Sequence, residues 1–109
     1  MASNFIKLPI IIINQRLATN SSLVLHDREG IIGVTDTTSP RTLALPAANS
    51  VVPGFTYSIK DESGGAATNN ITVVRAGADT VDGAAFYTIN SNFGKVTLYS
   101  DGASKWFTI

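Results

Sequence analysis

The sequence predicts an all-β protein: a small sandwich or barrel-like knob preceded by an extended N-terminal arm. Three observations carry that prediction. No window of helical length places apolar residues at three- and four-residue spacing without Gly, Pro or clustered Thr, Ser and Asn breaking it. Short segments alternating apolar and polar residues recur along the chain, with the period of two that a half-buried strand requires. Turn dipeptides such as Pro53-Gly54, Asp82-Gly83 and Asp101-Gly102 separate them. Strands this short and frequent build sandwiches, barrels or knobs.

Taken in order, residues 1–22 are an arm and linker, and residues 23–109 are a β-rich knob. The stretch "MASNFIKLPIIIINQRLATNSS" has a polar tip, then an apolar strand carrying Pro9, then an Asn/Ser/Thr-rich connector. A proline in a strand removes a ladder donor and confines the strand to an edge, where four consecutive isoleucines would invite aggregation. Another chain or the body of the protein must cover them. Phe5, Ile6, Leu8, Pro9, Ile10, Ile11, Ile12 and Ile13 are therefore the candidate partner-binding residues. The competing reading is a first core strand, because strands buried on both faces also read as continuous apolar runs.

The knob's strand candidates are "SSLVL", "GIIGV", "RTLAL", "FTYSI", "NITVV", "AFYTI", "KVTLY" and "KWFTI". The clearest is "FTYSI", with Phe55, Tyr57 and Ile59 on one face and Thr56 and Ser58 on the other. Between Ile59 and Ile71 lies "KDESGGAATNN", which reads as a long hairpin loop. Its glycines suit positive φ, its asparagines suit left-handed conformations, and Asp61 and Ser63 suit bonds to local amides. No clean internal repeat is visible.

The 109 residues provide one domain with one modest core. Eight Lys plus Arg balance eight Asp plus Glu without a run of either sign, so neither nucleic acid nor an anionic membrane is an expected partner. Charged residues make up 15% of the chain, against roughly 25% in an ordinary soluble domain. Part of the surface is expected to lie against protein rather than water. There is no cysteine, which excludes a disulfide framework and a thiolate metal site. The longest apolar run, "PIIII", is too short to span a membrane and lacks the flanks of a signal peptide, which implies a soluble protein not exported by the general route.

Candidate chemistry is sparse. His26 precedes Asp27 and serines are plentiful, but no G-x-S-x-G elbow is present, and "LHDREG" reads as a solvated bend between two strands. Asp61, Glu62, Asp79, Asp82 and Asp101 supply oxygen ligands of the kind calcium prefers, yet none has EF-hand spacing. Asp82 and Asp101 each precede Gly, the pair that a tight hairpin turn demands at its two central positions. Gly64-Gly65 is not followed by Lys and Ser or Thr, so it is no phosphate loop. Tyr57, Phe86, Tyr87, Tyr99, Trp106 and Phe107 could stack sugars or bases, but aromatics in alternating strands more often form cross-strand core pairs. The expectation is no catalytic residue, no cofactor and no metal.

From Arg41 to Ile109 the chain resembles a module found at the C-termini of tailed-bacteriophage fibre, spike and capsid-decoration proteins. The pieces that carry the resemblance, in order, are "LALP", "YSIKDESG", "NITVV", "ADTVDG", "YTIN" and "VTLYSDG" followed by Trp106. It implies a β-rich virion knob, commonly trimeric, made in the host cytoplasm, and it carries over no catalytic residue. Only some forty residues precede the module, where a fibre would have a long shaft. The resemblance thus implies a homotrimeric capsid decoration, or cement, protein that holds the major capsid lattice through its arm. The alternative is a tail or head fibre tip that binds the host surface.

Overall fold

A computed structural model describes residues 15–26 and 29–109. The arm residues Phe5, Ile6, Leu8, Pro9 and Ile10 to Ile13 lie outside the described residues. Ten strands form two sheets: β1 Gln15–Thr19, β2 Leu23–Val24, β3 Glu29–Val34, β4 Arg41–Ala44, β5 Thr56–Asp61, β6 Ile71–Val74, β7 Thr80–Val81, β8 Phe86–Ile89, β9 Lys95–Ser100 and β10 Lys105–Thr108. A 3-10 turn, Ala48–Ser50, interrupts the connection from β4 to β5.

The six-stranded sheet has the order β1-β3-β5-β9-β10-β7 and the four-stranded sheet the order β2-β4-β6-β8. Odd and even strands alternate between the sheets as far as β9, so the chain winds from one sheet to the other and back. Returning each time in the same direction makes β1, β3 and β5 parallel in one sheet and β2, β4 and β6 parallel in the other. Parallel neighbours need a crossover, and here the strand in the opposite sheet provides it. The stack then closes with β8 antiparallel to β6, β9 antiparallel to β5 and β10 antiparallel to β9.

This winding overturns one expectation. The segment between β5 and β6 is a crossover between sheets, because β5 pairs with β3 and β9 while β6 pairs with β4 and β8. It is not a hairpin. Residues 15–19, read from the sequence as linker, are strand β1 beside β3, the end strand of its sheet among the described residues. The absent sequence repeat also has a reason. Leu17 sits beside Ile32 and Ile32 beside Ile59, so successive turns of the winding differ in length and no constant period can appear.

The core lies between the sheets and follows the alternation. Burial along β5 alternates residue by residue, with Tyr57, Ile59 and Asp61 inward. β9 turns Val96 and Leu98 inward, and β6 turns Ile71 and Val73. Tyr57 stacks on Trp106 at 5.6 Å between ring centroids, and Phe55 meets Tyr57 edge-on at 5.1 Å. The Tyr57 hydroxyl donates to the carbonyl of His26, tying the end of the first winding to the centre of the core. Trp106 Nε1 is buried and has no acceptor among the described residues.

The turn dipeptides divide. Val52 to Phe55 is a type II turn in which the Phe55 amide donates to the Val52 carbonyl at 3.0 Å. Asp82 at φ 49° and Gly83 at φ 82° form the two-residue turn that was expected, with Val81 and Ala84 exchanging hydrogen bonds of 2.8 and 2.9 Å. Asp101-Gly102 does not. It opens a longer loop in which Asp101 Oδ1 accepts the amides of Ala103, Ser104 and Lys105 at 2.8, 3.0 and 3.0 Å.

Candidate functional site

The crossover after β5 holds the one fully buried carboxylate among the described residues. Asp61 continues the inward alternation of Tyr57 and Ile59, so the strand itself drives the side chain under the loop that follows. Its Oδ1 accepts the Ser63 amide at 3.0 Å, the Ser63 hydroxyl at 2.7 Å and the Gly64 amide at 3.0 Å. Its Oδ2 accepts the Ala66 amide at 2.9 Å and the Phe93 amide at 3.0 Å. Burial pushes this carboxyl up, but the Ser63 hydroxyl and the amides of Ala66, Phe93 and Gly64 outweigh it and hold the group below the usual carboxylate range.

The neighbouring loop is fixed by the same cluster. The Ser63 hydroxyl bonds the Thr37 hydroxyl at 2.5 Å, and Asn69 Nδ2 donates to the Thr37 carbonyl at 2.9 Å. Asn69 and Asn70 are not in the left-handed region, where the described non-glycine residues are Asp82 and Phe93 alone. Asn69 therefore works through its side-chain amide. Gly64 does need its freedom: it lies at φ 84°, and a Cβ there would stand 2.5 Å from Cζ of Phe93. The buried Asp61, with Ser63 bonded to Thr37, thus joins the β3–β4 and β5–β6 crossovers and the turn before β9.

The remaining acids with described side chains are also committed to structure. Asp36 accepts the Thr38 amide at 2.8 Å and hydroxyl at 2.7 Å and pairs with Arg41 at 3.2 Å. The bonds from Thr38, reinforced by Arg41, hold its carboxyl below the usual range. Asp79 accepts the Ala48 amide at 2.8 Å, and Asp82 accepts the Thr108 amide at 3.0 Å. Glu62 forms a two-pronged pair with Arg16, one limb being Nε to Oε2 at 3.1 Å. Asp61, Glu62, Asp79, Asp82 and Asp101 are therefore dispersed as separate staples. Among the described residues no three His, Cys, Asp or Glu side chains gather as a metal centre.

The surfaces differ between the sheets. On the outer face of the four-stranded sheet, Val24, Ala44, Val74 and Phe86 fall at one register across all four strands. Val24 is 58% exposed and Phe86 53%. Beside that row run Thr42, Thr72 and Thr88, again in register. The outer face of the six-stranded sheet instead carries Arg16, Lys60, Lys95 and Lys105, with the Tyr99 and Phe107 rings at 5.7 Å. Of the aromatics, Tyr57 and Trp106 are core, whereas Phe86 is a surface residue. Sequence reasoning missed the uncharged face because its members come from four separated segments. The signal was present only as the lack of charge at alternate positions of "VL", "TLA", "TVV" and "FYT".

β1 and β2 are the end strands of their sheets, at the same end of the stack, and β1 directly follows the arm. Among the described residues no helix is long and apolar enough to cross a membrane. Comparison with known protein families finds no match for the chain, and comparison with curated proteins finds none either.

Proposed function

We propose that the protein is a structural virion protein of a tailed bacteriophage: a homotrimeric capsid decoration protein, without enzymatic activity, that binds and stabilises the major capsid lattice through its N-terminal arm. The resemblance of the Arg41 to Ile109 segment to virion modules supplies the class. The observation that supports attachment through the arm is the position of β1, the end strand of the six-stranded sheet among the described residues, one residue after the arm's isoleucines. An edge strand presents unpaired backbone groups and recruits further strands.

Residues Phe5, Ile6, Leu8 and Ile10 to Ile13 would fill pockets on a capsid subunit or a neighbouring decoration subunit, with Pro9 at an edge position. Three arms on one trimer act together through effective concentration, so weak single contacts sum to firm attachment. The test is to delete residues 1–13 and add the protein to capsids that lack it. The expected result is a folded knob that no longer decorates. Undiminished occupancy, or loss of folding, refutes attachment through the arm.

A further inference from the structure

Resting on the trimeric reading above, we propose that the outer face of the four-stranded sheet is the surface on which copies of this chain meet, with the row Val24, Ala44, Val74 and Phe86 lying along the threefold axis. Two features of that face point to a second copy rather than a foreign protein. The first is direction. Because the four residues share one register, the row runs across the strands, along the stacking direction of the winding. A rotation axis parallel to the row sets each residue against its own copies, so apolar meets apolar along its whole length without a partner of different sequence.

The second feature is charge. On a rotation axis every ionised side chain confronts its own like charge, which repels strongly when desolvated. The outward positions of this face, Val24, Thr42, Ala44, Thr72, Val74, Phe86 and Thr88, carry no ion. Threonine hydroxyls both donate and accept, so a threonine can bond its own copy across the axis. The other sheet exposes Ile31 as well, but its outward Lys60, Lys95 and Lys105 would each meet their own like charge on such an axis.

The chain has no cysteine, which allows a direct test on the full-length protein. Val74→Cys places one thiol on the proposed axis, and Thr97→Cys places one on the outer face of the other sheet. A bis-maleimide of about 10 Å reach, the usual distance between packed sheets, should link Val74→Cys chains covalently and leave Thr97→Cys chains unlinked. Separately, Phe86→Glu should convert a trimer into a folded monomer, read by light scattering with circular dichroism as the check on folding. A wild-type trimer in which Val74→Cys does not cross-link overturns the assigned face and leaves the trimer standing. A wild-type monomer at micromolar concentration overturns both. Should Phe86→Glu fail to fold, the cross-linking result decides. A monomer whose capsid binding is abolished by Phe86→Glu assigns the face to the capsid and overturns the self-contact.

Discussion

Replacing Asp61 by Asn tests whether a buried charge holds the crossovers together. Asn has nearly the same shape but only one acceptor oxygen. If that oxygen stays with Ser63 and Gly64, the new NH₂ group faces the amides of Ala66 and Phe93, which donate to Oδ2 at 2.9 and 3.0 Å in the native protein. One buried donor and one part-buried donor then lose their acceptor, at about 1–3 kcal/mol each. The expected loss of about 2–6 kcal/mol is a large share of the roughly 5–15 kcal/mol that holds a domain folded. In urea, with a slope of about 1.5 kcal/mol per molar, the midpoint should fall by at least about 1 M, measured at one fixed protein concentration. The pH dependence is specific to charge. Asp61 titrates below its unfolded value in the native protein, so its contribution is present above the unfolded pKa of about 3.9 and is lost as pH falls through the folded value. The gap between wild type and Asp61→Asn should be full above about pH 5 and should narrow below about pH 4. A midpoint within experimental error of wild type, or a gap unchanged between pH 7 and pH 3, refutes the assignment of this carboxylate as the ionised anchor.

Gly64→Ala and Gly83→Ala should separate backbone strain from crowding. Both positions have positive φ, costing about 1–2 kcal/mol for a side chain, but only at Gly64 does the new Cβ meet a ring. Denaturant midpoints should therefore fall further for Gly64→Ala, and Phe93→Ala in the same chain should recover part of the difference. Thermal melts in calcium and in chelator should coincide, because the acids with described side chains already serve loops and strands; a shift of several degrees would reveal a cation site. Trp106→Phe should destabilise by less than the about 3–5 kcal/mol of a full aromatic truncation, since it removes an indole donor that lacks an acceptor and keeps a ring for Tyr57 to stack on; a loss as large as that of Trp106→Ala overturns this.

Much of the strand content was legible because period-two burial is local. "FTYSI", "NITVV" and "KVTLY" lie within β5, β6 and β9 or overlap their ends, and their inward residues are the apolar ones. The pairing was not legible. Consecutive strands usually pair, so a polar stretch between Ile59 and Ile71 reads as a hairpin, whereas nothing in either strand records that its neighbours lie in different sheets. β1 escaped because "QRLAT" carries only one strongly apolar residue, Leu17, and an edge strand on one side of a thin core needs no more. Asp61 was recognised as a bonder of local amides, but its burial depends on two partners beyond the local turn, Ala66 and Phe93, which no local pattern announces.

The topology also gives the two ends of the molecule different obligations. A parallel winding buries each layer only against the next, so both terminal layers would stand open unless something covers them. At one end this chain supplies the cover itself. After β6 it reverses, laying β8 against β6 and β9 against β5, then doubling back through β10, so that the last parallel layer is closed by antiparallel strands. At the other end β1 and β2 remain at the margin of their sheets, and the chain that precedes them contains the most apolar run of the sequence. The two ends thus differ in kind: one finishes in antiparallel strands, with β7 and β8 outermost, while among the described residues the other finishes in the parallel strands β1 and β2. For the attachment proposed above, that difference singles out the parallel end, where the apolar run leads into β1, as the place to probe for strand addition.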